Sequence, residues 1–257
     1  MPNVELLLHG MSVNTSQARL GLCTVVLLRG RRNVLVDVGH YGRRQNLELA
    51  LQERGLGPAD IHLVVLTHAH WDHAQTIDIF PNAEIAIHPA ELDYTRSPRA
   101  GDWATPAYFA HTLRGLKVRE VHEGLEVEDG VHILDTPGHT KGHISVVVDT
   151  PDGPVCIGGD AFTSADTVRT GRPRLIFWDE EQAEASVRKV LDTSRTIYPG
   201  HDRPFRIVGE GKTEYLVANP GIQVGGALEA GGSPVTVSLT LGPEVAAWSH
   251  PEAVRRR

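Results

Sequence analysis

Cysteine is nearly missing. The 257-residue chain has two, Cys23 and Cys156. Each lies inside an apolar run, "LGLCTVVLL" and "GPVCIGG", so both read as reduced core thiols and not as a disulfide framework. Long apolar runs are also lacking: nothing approaches the roughly 20 residues that a membrane-spanning helix needs. The opening "MPNVELLLHG" is too short and wrongly flanked for a secretory signal. Positive charge is in deficit, at a net −7 with histidines neutral, which disfavours a broad electrostatic grip on nucleic acid. The closing Arg255-Arg256-Arg257 reads as a solvated tail. A cytoplasmic protein without a membrane partner is the default expectation, with nucleic acid disfavoured; a homodimer stays open.

What is present suits a soluble globular protein, with 40% hydrophobic and 22% charged residues. The pattern alternates. "NVELLLH", "CTVVLLRG" and "RNVLVDVG" read as strands, the last two spaced as a hairpin. "RRQNLELALQERGLG" places Leu47, Leu51 and Leu56 on one helical face and stops at glycines. "IHLVVLT" and "AEIAIH" are strands again. Residues 95–116 carry Pro98, Pro106, Trp103, Tyr108 and Phe109 in an irregular stretch, read as a loop or lid with a short helix near Ala107–Leu113. "GVHILDT", "HISVVVDT" and "GPVCIGGD" follow as strands, then a helix at "DEEQAEASVRKVLDTS" and a strand at "TIYPGH". In the tail, "GGALEAGGSP" reads as a loop and "VTVSLTL" as a strand. No linker divides the chain, so a single domain over 1–257 is expected, with a core of about 3–210 and a β-like C-terminal extension over 211–257. Strands in runs with helices interposed point to a layered α/β (α+β) domain.

The chemistry concentrates in "VVLTHAHWDHA". His68, His70, Asp72 and His73 fall within six positions just past a buried strand. Residues two apart in extended backbone face one side, and a turn then brings the next pair round. Imidazole and carboxylate are zinc-type donors. Any one of these histidines alone reads best as part of a polar surface turn, but four such side chains together point to metal. Three more strands end in a glycine turn followed by one donor: His139 after "DTPG", Asp160 after "CIGG" and His201 after "YPG". Glycine allows the sharp turn and close approach that such a rim needs. Five histidines and two aspartates are too many for one zinc, which usually takes four ligands, and suit two metals sharing a bridging carboxylate and hydroxide.

With "HAHWDH", His139, Asp160 and His201 in this order, the chain resembles the metallo-β-lactamase superfamily over roughly residues 3–210. N-acyl homoserine lactonase-like proteins and small stand-alone metallo-β-lactamase-domain proteins are its nearest look-alikes. The resemblance implies an αββα sandwich, two mixed sheets face to face with helices outside and the metal site at one edge. It implies that His68, His70 and His139 hold one metal and that Asp72, His73 and His201 hold another. Asp160 would bridge them, and Asp37 of "LVDVGH" would lie beneath. It further implies a binuclear metallo-hydrolase carrying two divalent ions, zinc first and manganese or iron as alternatives. A metal-bridging hydroxide would attack an ester-like bond in a lactone, thioester or related small molecule. Asp160 would position that hydroxide, and Asp72 would pass a proton to the leaving group. Thr163 stands where lactonases carry a tyrosine, three residues past the bridging aspartate. Phosphodiester hydrolysis, RNA included, and metal binding without turnover are the alternatives.

Other residues read more plainly. His143 is expected to be structural or to back the ligands. His40 could line the cleft or the surface. His9, His62, His88, His111, His122, His132 and His250 have no ligand context. Trp71 reads as packing. Trp103, Tyr108 and Phe109 could form a substrate wall or a local cluster.

Overall fold

The computed structural model describes residues 1–14, 18–226 and 235–239. The chain divides into two compact units, Met1–Leu216 and Val217–Arg257. In chain order the first unit runs β1 (Asn3–Leu8), a small hairpin of β2 (Met11–Asn14) and β3 (Arg19–Leu22), β4 (Val25–Arg29), β5 (Asn33–Val36), α1 (Arg44–Gln52), β6 (Leu63–Val65) and α2 (Trp71–Ala74). It continues with β7 (Glu84–Ile87), α3 (Pro89–Tyr94), α4 (Phe109–Thr112) and β8 (Lys117–Glu120). Then come β9 (Glu126–Glu128), β10 (Val131–Asp135), β11 (Ile144–Val148), β12 (Val155–Gly159), α5 (Asp166–Thr170), α6 (Glu180–Thr193), β13 (Thr196–Pro199), β14 (Phe205–Gly209) and β15 (Lys212–Tyr215).

Two mixed sheets result. The first has the order β1-β4-β5-β6-β7-β8 and the second β15-β14-β13-β12-β11-β10-β9. Pairing is parallel through β5, β6, β7 and β8 and between β12 and β13, and antiparallel elsewhere.

Alternation along the strands builds the layers. Val26, Leu28, Val34, Val36 and Val65 of the first sheet share one core with Val131, Ile133, Val146, Val148 and Ile157 of the second. The opposite faces of the same strands, Leu27, Leu35, Val64 and Ile85, pack with Leu47 and Leu51 of α1. On the far side, Val147, Cys156, Ile197 and Phe205 pack with Val187 and Val190 of α6. The order is helix, sheet, sheet, helix, the αββα arrangement expected. Both cysteines are free and buried, Cys23 in the first outer layer and Cys156 in the other.

Several elements escape the sequence reading. The hairpin β2–β3 and the polar strand β8 were expected as neither strand nor helix, and α3 and α5 are additional helices. The extension expected from residue 211 gives its first strand, β15, to the second sheet, where Phe205 pairs with Tyr215. The second unit contains an antiparallel pair, β16 (Ile222–Gly226) with β17 (Val235–Leu239); most of the "GGALEAGGSP" segment, His250 and the arginine tail lie outside the described residues. Among the described residues, no helix is long and apolar enough to cross a membrane.

Candidate metal centre

The donors sit where strands stop. Asp37 follows β5, His68 follows β6, Asp160 follows β12 and His201 follows β13. His139 lies past β10, directly after the turn at Pro137 and Gly138, and α2 supplies Asp72 and His73 in its single turn. Because β5 and β6 run parallel, as do β12 and β13, these strand ends share an edge of their sheets.

The structure brings all seven predicted side chains together. Ligand atoms of His68, His70 and His139 lie within 4.8 Å of one another, as do those of His68, His73 and Asp160, and those of Asp72, His73 and His201. Asp160 stands between the groups. Its Oδ1 is 3.4 Å from His73 Nε2 and 3.3 Å from His201 Nε2, and its Oδ2 is 3.5 Å from His139 Nε2. Asp72 Oδ2 is 3.4 Å from His201 Nε2.

Each imidazole is held from behind, which fixes the nitrogen left facing inward. His73 Nδ1 donates to Asp37 Oδ2 at 2.7 Å, His139 Nδ1 to the Leu175 carbonyl at 2.7 Å, and His201 Nδ1 to the Leu22 carbonyl at 3.2 Å. His68 Nδ1 pairs with Thr67 Oγ1 at 3.0 Å, and His70 Nε2 faces Asp102 at 3.4 Å. When the rings are neutral, as metal binding requires, their inner nitrogens present lone pairs. Those of His70 and His139 meet at 3.1 Å, and those of His73 and His201 at 3.3 Å. Lone pairs at that separation repel unless a cation joins them. His68 Nε2 and Asp160 Oδ1 are buried without a hydrogen-bond partner, a costly state for polar atoms. The donor set fits metal ions on both counts.

Electrostatics divide the two groups. Burial holds His68 well below the ordinary histidine value and His139 down at about 4, so both are neutral ligands near pH 7. Burial opposes charge at His73 as well, yet the Asp37 carboxylate raises it well above that value; at His201 burial is outweighed by Asp160. Burial would raise the Asp160 carboxyl, but His201 and His73 keep it well below the usual range.

The backing residues were the part sequence reasoning missed, Asp37 and His143 excepted. Asp102 comes from the irregular 95–116 stretch, and Leu175 from a segment whose Phe177 N–H also donates to the His139 carbonyl at 2.9 Å. Leu22 ends the unforeseen hairpin. His143 is buried and accepts the amides of Asp160 at 3.0 Å and Ala161 at 3.3 Å, so it supports the carboxylate instead of joining the donors. His40 caps the turn at Tyr41–Arg43 by accepting Gly42 N–H at 3.0 Å, and its ring lies 5.1 Å from Trp71. None of His9, His62, His88, His111, His122 or His132 belongs to the three groups. Of the loop aromatics, Phe109 is buried in the core, whereas Trp103 and Tyr108 remain half exposed. Trp103 packs edge-on against Phe177 at 5.7 Å, and Phe177 packs against His70 at 5.0 Å and His139 at 5.5 Å. An aromatic wall thus borders the first histidine group.

Comparisons agree with this geometry. The family model of the Metallo-beta-lactamase superfamily matches residues 18–201. Metallo-beta-lactamase domain-containing protein 1 of Xenopus laevis is 33% identical over 190 residues, 74% of each chain. The human protein of the same name is matched over 62% of its length, less than two thirds. An N-acyl homoserine lactonase from Bacillus sp is 29% identical over 157 residues, 59% of this chain and 60% of its own. The crystal structure of a putative metallo-beta-lactamase from Thermotoga maritima superposes with a TM-score of 0.66 at 23% identity, covering 80% of this chain and 99% of that one. With its αββα layers and its strand-end histidines and aspartates, the chain belongs to the metallo-beta-lactamase superfamily and is a metallo-hydrolase of that fold.

Proposed function

We propose that the protein is a two-metal hydrolase that cleaves an ester-like bond in a small molecule, with zinc as the resident ion. The observation that carries this reading is the division of Asp160, with Oδ1 toward His73 and His201 and Oδ2 toward His139. His68, His70 and His139 would hold one ion, and Asp72, His73 and His201 the other, with Asp160 spanning both. Imidazole and carboxylate donors suit zinc, and manganese or iron accept the same set. Bound there, a pair of divalent cations would acidify a shared water into a nucleophile near neutral pH and polarise the substrate's carbonyl.

The chain's own part is orientation and proton handling. Asp160 fixes the spacing of the two donor groups. Asp72 stands at the edge of the second group, where it would pass a proton to the departing oxygen or sulfur. An apolar portion of the substrate beside the first group would lie against Phe177 and Trp103. The lactonase among the relatives supports an ester-like target. Thr163, buried at the place where the resemblance puts a tyrosine, argues that a lactone would be handled without that hydroxyl's help.

Metal quantification followed by a panel of lactones, thioesters, β-lactams and phosphodiesters tests the reading. Two ions per chain with turnover of a lactone or thioester is expected. A fully loaded preparation active only on phosphodiesters moves the assignment to phosphodiester hydrolysis. One inert toward the whole panel leaves a metal-binding protein without turnover.

A further inference from the structure

Two carboxylates outside the seven donors support the first histidine group, and α3 carries one and touches the other. Glu91, on that helix, is completely buried. Its Oε1 accepts Ala69 N–H at 2.9 Å and its Oε2 accepts Gly142 N–H at 2.9 Å. Ala69 lies between His68 and His70, and Gly142 lies three residues past His139, so one carboxylate ties together the two loops that carry this group. The close approach is built into the sequence: a Cβ on Gly142 would sit 2.1 Å from the Glu91 nitrogen, leaving glycine as the residue that fits. Nearly one turn further along α3, the Tyr94 hydroxyl donates to Asp102 Oδ2 at 2.8 Å. Asp102 is also fixed by Ala104 N–H at 2.9 Å, Thr105 N–H at 3.0 Å and the Thr105 hydroxyl at 2.7 Å, and it faces His70 Nε2 at 3.4 Å. The second group is anchored elsewhere, His73 on Asp37 and His201 on the Leu22 carbonyl.

A buried carboxylate is an expensive way to fill space, and an apolar side chain of similar volume would pack there without that cost. What an apolar side chain lacks is the ability to hold two loop amides at a set separation.

We propose that α3 is a positioning element that acts on the first metal site and not on the second, with Glu91 setting the separation of its two loops and Tyr94, through Asp102, helping to set the ring of His70. The proposal rests on the two-metal reading above. Metal-stripped full-length chain is titrated with zinc against a chromophoric chelator, and ions per chain are counted. Wild type is expected to take two. Glu91→Gln keeps the size but turns one acceptor into a donor facing an N–H. It is expected to weaken one zinc by about tenfold or more and to leave the other within about twofold. In a His201→Ala background, which spares the first group, Glu91→Gln weakens the remaining zinc by the same factor. In a His70→Ala background it changes nothing. Tyr94→Phe removes one hydroxyl from α3 and is the milder variant should Glu91→Gln fail to fold; it weakens the same zinc. Equal weakening of both ions, or of neither, overturns the positioning role while leaving the two-metal reading intact. A wild-type chain that takes up fewer than two ions overturns that reading and this inference with it.

Discussion

His73 gives its Nδ1 proton to Asp37 Oδ2 at 2.7 Å, and the same oxygen receives the Thr67 hydroxyl at 2.8 Å. Asp37 Oδ1 accepts the Thr67 amide at 2.8 Å. Since Thr67 Oγ1 spends its proton on Asp37, it accepts from His68 Nδ1. One carboxylate therefore orients a histidine in each group. Asp37 adopts a positive φ of 56° to do so, a conformation that aspartate tolerates better than most side chains.

From this linkage, Asp37→Ala should lower the affinity for both ions, by about 10- to 100-fold, because it frees one ring directly and a second through Thr67. Chelator competition on the metal-loaded chain measures it. An effect confined to one ion would show that the Thr67 relay does not orient His68.

Asp160→Ala and His70→Ala should each remove most turnover, about 100-fold or more. On the proposed ligand set, Asp160→Ala would take the shared donor from both groups, and His70→Ala one donor from the first. Steady-state rates on whichever ester or lactone the wild type cleaves, measured alongside metal content, provide the check. Unchanged turnover in either variant would count against the proposed chemistry.

The donors were legible because they obey local rules. Each follows an apolar strand and three follow a glycine turn, so pattern alone places them on a common rim. The residues behind them obey no local rule. Asp102 lies in an irregular stretch and reaches His70 across 32 positions, while Leu175 reaches His139 across 36. Such contacts exist only after tertiary packing. The hairpin β2–β3 was missed because "MSVN" and "RLGL" lack a continuous apolar run, and β8, "KVRE", because it is a polar edge strand of the first sheet. Glu91 in "PAELDY" looks like an ordinary surface helix residue until the loops close over it.

Neither thiol should react in the folded protein. Burial pushes Cys23 and Cys156 each up to about 12, so both stay protonated and enclosed at pH 8. A thiol-reactive chromophore should label none in native buffer and two per chain in denaturant. Rapid labelling of either in native conditions would contradict its placement in the core.

Acid should destabilise the metal-free chain through His143. Its Nε2 accepts two backbone amides and its Nδ1 pairs with Thr136 Oγ1 at 2.9 Å, so a second ring proton would point at two N–H donors. Burial holds His143 well below the ordinary 6.5. The unfolded chain therefore takes up this proton first as pH falls. The contribution is fully present above about 6.5 and is lost progressively below it. His73 and His201 carry the opposite sign, since their folded values are raised. Isolating His143 therefore requires a comparison: His143→Gln should flatten the fall in Tm between pH 7 and pH 5 relative to wild type. An identical slope would remove His143 from the account.

Gly21 is the sharpest test of the hairpin's place in the site. A Cβ there would lie 2.1 Å from Asp72 Oδ2, and Gly21 is not among the residues with positive φ. Alanine is therefore acceptable to the backbone, and the nearest atoms its Cβ would meet all belong to Asp72. Asp72 must turn away from His201, or β3 must lift and take the Leu22 carbonyl from His201 Nδ1. Both movements loosen the second donor group and spare the first. With two zinc ions bound as proposed, Gly21→Ala should hold one as wild type does and the other about tenfold more weakly or worse, with the metal-free Tm little changed. Had the hairpin no part in the metal centre, the variant would bind both ions normally.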